Sequence, residues 1–189
     1  MDTLLFSATA AIALAMKRTA AFSVETMSAQ SLANRFPSLT EFSEKQKPVK
    51  IVGLLFSAGW CPDCQKDVPK VETVVQAAKA NDASNLAIYY VSSDRSAEEM
   101  MKSCNHSVFQ SIPYENGLER SALKRHFKTC AAVERQEVGV EDRQFGVPTL
   151  ILLDQASGRV LTTDGVSDCV RHVDTPEKAM DKWKALLET

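Results

Sequence analysis

Three nearly continuous apolar runs constrain the fold more than any other feature of the sequence. They cover residues 49–57, 86–91 and 145–154, and each is bounded by polar or turn-forming residues. A strand that is apolar on both sides must be covered on both faces of its sheet. The runs therefore predict central strands in a sheet that lies between layers of helices.

Segments with helical spacing alternate with these apolar runs. In the first, apolar side chains recur every three or four residues, and Pro62 suits the first turn of a helix. In the second, Ser96 and Glu99 have the spacing of a capping box. We predict helices at residues 62–80, 96–104 and 118–127, and a final helix from residue 174 onward.

The order of these elements indicates an α/β fold with a mixed central sheet and helices on both faces. Residues 111–117 contain proline and glycine and predict a loop, whereas the Ser157-Gly158 turn predicts a hairpin between the third run and residues 159–163. Strand–helix alternation followed by a hairpin and a closing helix is typical of such a sheet. We expect one domain over residues 41–189.

Residues 1–40 are predicted to form a leader, either disordered or a targeting segment. The alanine-rich run at residues 4–16 is too short to span a membrane. Residues 19–22, Thr-Ala-Ala-Phe, offer a signal-peptide cleavage site and resemble the junction of plastid-targeting leaders in algae with complex plastids. Translation from Met27 would remove the run. We expect a cytoplasmic protein, with a plastid or secretory route as the alternative.

Charge and cysteine content exclude several classes of protein. The 22 basic and 24 acidic residues form no block of one sign, which gives no electrostatic reason to expect nucleic acid or stable membrane association. Of the five cysteines only Cys61 and Cys64 are close together, unlike a secreted disulfide scaffold. We expect Cys104, Cys130 and Cys169 to be buried and inert, with Cys169 the most exposed of them.

Cys61 and Cys64 lie where the first apolar run gives way to the first helix. A helix N-terminus stabilises negative charge, so a thiolate is favoured there. We predict that Cys61 is the more exposed, nucleophilic sulfur and that Cys64, almost one turn later, points inward. Cys61 would attack a disulfide and Cys64 would then displace the product. A reductant from outside the chain must restore the dithiol.

Two other kinds of site compete with this interpretation. Together with His126 and Cys130, the dithiol forms a formal set of zinc ligands. Structural zinc sites usually draw their ligands from short nearby segments, whereas a strand and two helices intervene here, so we expect no metal. A peroxidase site would need threonine and proline ahead of a single attacking cysteine, and that pattern is missing around Cys61.

Several short segments match the motifs of one family. Residues 56–64, Phe-Ser-Ala-Gly-Trp-Cys-Pro-Asp-Cys, look like an active-site stretch, and residues 146–151, Gly-Val-Pro-Thr-Leu-Ile, are similar to a later Ile-Pro-Thr-Leu segment. Residues 89–94, 112–114 and 158–163 also match segments of that family, in the order in which the family has them. On these motifs the chain resembles the tryparedoxins and nucleoredoxins of the thioredoxin superfamily, from about residue 48 to residue 163.

The resemblance implies a thioredoxin-like fold and a thiol–disulfide oxidoreductase that reduces protein disulfides. It implies that Pro148 is cis and faces the dithiol, and that the Val147 backbone pairs with an extended substrate segment. Trp60 would cover one side of the site, with Pro62 and Asp63 shaping it, although ordinary core packing of Trp60 is an equal alternative. No bound cofactor is implied beyond the redox-active Cys61–Cys64 disulfide.

The resemblance also implies partners. These are disulfide-containing proteins, peroxiredoxins among them, and an external dithiol or a flavoprotein reductase as electron donor. The alternative function is a redox-sensing protein of nucleoredoxin type that holds its partners in a thiol-dependent manner.

The chain departs from the family pattern at three places. Asp63 stands where tryparedoxins have proline, and its carboxylate should oppose a neighbouring thiolate. Thioredoxins carry a buried aspartate near the position of Leu55, so the group that accepts the Cys64 proton is not identified. Residues 131–142 are longer and more charged than the corresponding link, and we expect them to form a solvated loop.

Overall fold

The computed structural model describes residues 27–42, 49–82 and 85–189. The predicted targeting segment falls outside these ranges, and its role stays a prediction. Within them, no helix is both long enough and apolar enough to cross a membrane.

The chain forms a five-stranded mixed sheet. Its strands are β1 (Ile51–Ser57), β2 (Leu86–Ser92), β3 (Gln110–Ser111), β4 (Thr149–Asp154) and β5 (Val160–Thr162), in the order β3-β2-β1-β4-β5. β1, β2 and β3 are parallel, whereas β4 is antiparallel to β1 and β5 to β4. The predicted thioredoxin-like α/β sheet and its hairpin are confirmed. The short strand β3 was not predicted, because we assigned its second residue to a loop.

Helices cover both faces of this sheet, as predicted. They are α1 (Ala29–Arg35), α2 (Pro62–Asp82), α3 (Ala97–Ser103), α4 (Gly117–His126), α5 (Arg135–Val138), α6 (Gly165–Arg171) and α7 (Pro176–Ala185). Side chains of α2, α3, α6 and α7 form the core on one face, and those of α1 and α4 form the core on the other.

The central strands are buried on both sides because their alternate side chains enter different cores. Ile51 and Leu55 of β1 pack in the core beneath α2, whereas Val52, Leu54 and Phe56 pack in the core beneath α1 and α4. This two-sided burial explains why β1 and β2 are almost continuously apolar rather than alternating.

The packed part of the chain reaches back beyond the boundary that we placed at residue 41. Leu32 and Phe36 of α1, together with Leu39 and Phe42, are buried in the α1–α4 core. The Ser28 side chain caps α1 by accepting a hydrogen bond from the Ser31 amide at 3.2 Å. A seven-residue helix has too few turns to give a clear apolar period, so the sequence pattern did not reveal it.

Helix α6 was also missed, and with it the environment of Cys169. Gly165 lets α6 approach β4 closely, because a Cβ there would lie 2.8 Å from the Leu150 carbonyl oxygen. Cys169 is fully buried on the inner side of α6, so the prediction that it is the most exposed of the three single cysteines is wrong. Burial raises the pKa of its thiol to about 12. The predicted burial of Cys104 and Cys130 is confirmed.

Residues 130–142, which we call the insert, form a packed segment and not the predicted solvated loop. A 3-10 turn (Ala132–Glu134) leads directly into α5, which ends at Gly139 in the left-handed conformation. Val138 and Val140 are buried with Cys130 in a small separate core. Of the charged side chains that suggested solvent exposure, Glu134 is partly buried and forms an ion pair with Lys124 of α4 at 2.6 Å, whereas Arg135 and Glu137 are exposed.

A buried carboxylate joins the last two helices. Asp168 of α6 accepts hydrogen bonds from the Trp183 indole at 3.0 Å and from the Lys182 ammonium at 2.6 Å. Asp168 and Trp183 are both fully buried. A buried carboxylate is stable only when its oxygens are paired in this way.

We predict that Asp168→Ala lowers the free energy of unfolding by about 2–3 kcal/mol, because it leaves the buried indole N–H without its partner. Urea unfolding followed by circular dichroism measures the change. Asp181→Ala is the matched control, since Asp181 is an exposed carboxylate on the same helix as Trp183. The control should change the free energy by less than about 0.5 kcal/mol. Equal losses in both variants would contradict the proposed anchoring role.

Candidate active site

The dithiol lies at the predicted junction between a strand and a helix. β1 ends at Ser57 and α2 begins at Pro62, so Cys61 immediately precedes the helix. The Gln65 amide donates to the Cys61 carbonyl at 3.0 Å, and the Gln65 side chain donates to the Gly59 carbonyl at 2.6 Å. These two bonds fix the backbone that carries the first cysteine.

The two sulfurs differ in burial in the predicted direction. Cys61 is 7% exposed and Cys64 is 2% exposed, and both are free thiols. The Cys61 Sγ lies 3.6 Å from the carbonyl oxygen of Val147. The peptide bond between Val147 and Pro148 is cis, as the family resemblance implies. The structure therefore brings together the two cysteines, Val147 and Pro148.

The remaining predicted site residues surround this centre. Pro62 and Asp63 are exposed in the first turn of α2, where an acidic side chain complements the helix dipole. Asp63 lines a shallow depression together with Val147 and Pro148. An exposed carboxylate therefore lies beside Val147 and the cis proline.

Trp60 is held in a defined orientation beside the dithiol. Its indole N–H donates to the Ser93 carbonyl at 3.0 Å, and the Arg95 guanidinium lies 5.3 Å from the centre of its ring. The side chain is partly buried and lines a cavity on each of its sides. Trp60 therefore packs against the core and also lines both cavities beside the dithiol.

Burial makes Cys64 a weak acid. Desolvation by burial is the main reason that the pKa of its thiol is raised to about 12, and the neighbouring Cys61 contributes to the rise. Hydrogen bonds with the Ser57 side chain and the Ala58 backbone oppose this rise without overcoming it. At neutral pH Cys64 is therefore a neutral thiol, and it must lose a proton before it can act as a nucleophile.

Asp94 is the buried carboxylate that sequence reasoning did not find. It accepts hydrogen bonds from the Gly59 amide at 2.7 Å and from the hydroxyls of Ser92 and Ser103 at 2.8 Å. The Tyr90 hydroxyl lies 3.3 Å from the same carboxylate. Asp94 follows β2, whereas the buried aspartate of thioredoxins corresponds to a position near Leu55 in β1.

A chain of polar side chains connects this carboxylate with Cys64. The Ser57 side chain interacts with the Cys64 thiol on one side and with the Tyr90 hydroxyl on the other. Tyr90 in turn contacts Asp94, and burial raises the pKa of its hydroxyl. The polar run that follows β2 could have indicated Asp94 in the sequence, because the carboxyl ends of adjacent parallel strands meet at one edge of a sheet.

A cavity of about 460 Å³ lies between α2 and α3, next to this network. Cys64, Trp60 and Asp94 line it together with the apolar side chains of Val68 and Pro69. The cavity gives the polar network on the inner side of the dithiol an opening toward solvent.

The zinc ligand set that the sequence allowed is not assembled. His126 packs against the rings of Phe36 and Phe127, and Cys130 belongs to the small core of the insert. Among residues 27–42, 49–82 and 85–189, no three His, Cys, Asp or Glu side chains are arranged to hold a metal ion.

Comparisons with known proteins agree with this geometry. The profile of a family described as thioredoxin-like matches residues 48–160. Human nucleoredoxin is 32% identical over 127 residues, which cover 67% of this chain and 25% of nucleoredoxin. Tryparedoxin of Trypanosoma brucei brucei is 25% identical over 159 residues, which cover 80% of this chain and 96% of tryparedoxin.

The solved structure of tryparedoxin from Trypanosoma brucei has the same fold. It superposes with a TM-score of 0.55 at 24% identity, over 83% of this chain and 99% of that one. The chain spans about a quarter of the length of the nucleoredoxins that it matches. From the family profile and these relatives, the chain belongs to the thioredoxin-like family, in the branch of the tryparedoxins and nucleoredoxins.

Proposed function

We propose that this chain is a thiol–disulfide oxidoreductase that reduces protein disulfides through Cys61 and Cys64. The observation that carries the proposal is the position of Cys61. Its sulfur precedes the first turn of α2 and lies 3.6 Å from the carbonyl of Val147, next to the cis peptide bond. A nucleophile and a backbone segment that can pair with a substrate are thus side by side.

The first step is attack by the Cys61 thiolate on a substrate disulfide. The helix N-terminus favours negative charge on the attacking sulfur. One substrate sulfur forms a bond with Cys61, and the other leaves as a thiolate that takes up a proton. The backbone of Val147 is placed to align an extended substrate segment for this attack.

In the second step Cys64 displaces the product. Its proton has a path through Ser57 and Tyr90 toward the Asp94 carboxylate, and the Cys64 sulfur then attacks Cys61. The substrate leaves as a dithiol, and Cys61 and Cys64 are left oxidised, joined by a disulfide. An external dithiol or a flavoprotein reductase must supply two electrons and two protons to complete the cycle.

The substrates that we propose are disulfide-containing proteins, with peroxiredoxins as one class. A protein substrate is supported by the placement of the Val147 backbone, which a small disulfide would not need. A thiol-dependent binding protein of nucleoredoxin type would use the same dithiol, and turnover separates the two functions.

Insulin serves as a general protein-disulfide substrate for a turnover assay. With dithiothreitol as reductant, the chain should accelerate insulin reduction, and Cys61→Ser should abolish the acceleration because the attacking sulfur is lost. Cys104→Ala is the matched control, since Cys104 is a buried thiol outside the site, and it should retain activity. The turbidity of the released insulin chains measures the rate.

Trapping identifies the role of each sulfur. Cys64→Ser should accumulate a mixed disulfide between Cys61 and the substrate, visible by non-reducing electrophoresis. If Cys61→Ser forms this adduct and Cys64→Ser does not, the assigned roles are reversed. Stable thiol-dependent capture by the wild-type protein without turnover would support the binding protein instead.

The order of alkylation follows from the raised pKa values. In the reduced, folded protein at mildly alkaline pH, iodoacetamide should modify Cys61 first. Burial raises the pKa of the Cys64, Cys104 and Cys169 thiols to about 12, so these thiols remain neutral until the pH approaches that value. Mass spectrometry of timed samples locates the label. Early modification of Cys64 would contradict the assigned asymmetry, and urea-unfolded protein, labelled at all sites, is the control.

The proton path predicts a selective defect in Asp94→Asn. The amide oxygen can still accept from the Gly59 amide, but the negative charge that receives the Cys64 proton is lost. We expect the release of product from the mixed disulfide to slow about tenfold at neutral pH and to recover as the pH rises. Single-turnover kinetics measures this step.

The matched control for Asp94→Asn is Glu98→Gln, which removes one carboxylate from an exposed ion pair with Lys102. It should leave the rate of product release unchanged. A pH-independent loss in Asp94→Asn would indicate a structural role for the carboxylate and not a role in proton transfer.

A further inference from the structure

A groove of about 670 Å³ begins at Trp60 and runs between α4 and the insert. We call it the α4 groove. Its lining includes Trp60, Arg95, Tyr114, Leu118, Val133 and Glu137. The groove therefore shares with the proposed redox site Trp60, the residue that directly precedes Cys61.

The wall that the insert contributes is fixed in place. The Glu134 carboxylate accepts hydrogen bonds from the Ala131 amide at 2.9 Å, the Lys124 ammonium at 2.6 Å and the Ser93 hydroxyl. The Ser93 carbonyl accepts the indole N–H of Trp60. The insert, the β2–α3 loop and the tryptophan are therefore joined through one residue, and the groove exists before any ligand binds.

Exposed apolar side chains are concentrated on this groove. Leu118 is 88% exposed and Val133 is 77% exposed. In the described part of the chain the other large exposed apolar side chain is Met101, at 69%, which lies on α3 outside the groove. Two of these three side chains thus line the same groove, and exposed apolar side chains grouped in this way mark a candidate binding surface.

The charges of the groove do not select a charged ligand. Lys124 and Glu134 neutralise each other at the floor. The rim carries side chains of both signs, namely Arg95, Glu115 and Glu137. Contact with Leu118 and Val133 would bury apolar area of a ligand with apolar side chains, and the mixed charges of the rim would neither attract nor repel it strongly.

We propose that the α4 groove binds apolar residues that flank the disulfide of a protein substrate. This inference rests on the proposed function and names its substrate class. A disulfide seated at Cys61 is carried by a chain that extends past Trp60, and each extended residue advances about 3.4 Å. Residues that flank the substrate cysteine would therefore enter the groove that Trp60 lines, whereas a small disulfide carries no such residues.

The test uses two synthetic peptides, each with one internal disulfide and identical except for the flanks. One carries leucines on both sides of each cysteine and the other carries serines. The wild-type chain should reduce the leucine peptide with a kcat/KM about tenfold higher, mostly through KM, because apolar area is buried on binding. The double variant Leu118→Ser, Val133→Ser should lose this preference and keep its rate with the serine peptide and with hydroxyethyl disulfide.

The matched control is Met101→Ser, which removes an exposed apolar side chain away from the groove and should retain the preference. Equal rates for the two peptides in the wild type, or an equal loss in Met101→Ser, would overturn the inference. So would a dimer that the double variant abolishes without a change in peptide preference, because the groove would then bind a second copy of the chain. If the wild type reduces none of the disulfides, the proposed function itself fails.

Discussion

The site depends on the pairing of β1 with two neighbours of opposite direction. β2 runs parallel to β1, so the ends of the two strands lie together, with Ser57 opposite Ser92. β4 runs antiparallel, so its beginning lies at the same edge, with Phe56 opposite Thr149. The dithiol, the carboxylate and the cis proline leave the sheet at this edge. Residues far apart in the sequence are thus held by backbone hydrogen bonds and not by flexible loops.

The same edge produces the difference between the two sulfurs. Cys61 immediately precedes the helix, at the end where backbone amides lack partners within the helix. Cys64 enters the core beneath the first turn, where desolvation raises its pKa to about 12. The role that we propose for Asp94 follows from this burial, because a neutral inner thiol needs a base and the carboxylate after β2 is the proposed acceptor of its proton.

The sequence predicted those features that depend on local pattern. The apolar runs located β1, β2 and β4, and the junction at Cys61 located the site. Features that depend on tertiary contact were not predictable in this way. Asp94 and Glu134 look like ordinary surface carboxylates in the sequence, and only the fold shows what they bind. Helix α1 was not predicted for a related reason, because its few apolar residues are recognisable as core residues only when they pack against the sheet.

The insert illustrates how a charged segment can fix geometry. A buried ion pair gives little net stability, because the desolvation of both charges offsets most of their attraction. Burial lowers the pKa of Lys124, and the adjacent Glu134 carboxylate opposes that shift. The pair is directional, however, and it holds Glu134 where it also reaches Ser93. The pair therefore ties the insert both to α4 and to the β2–α3 loop, beside the groove that Trp60 also lines.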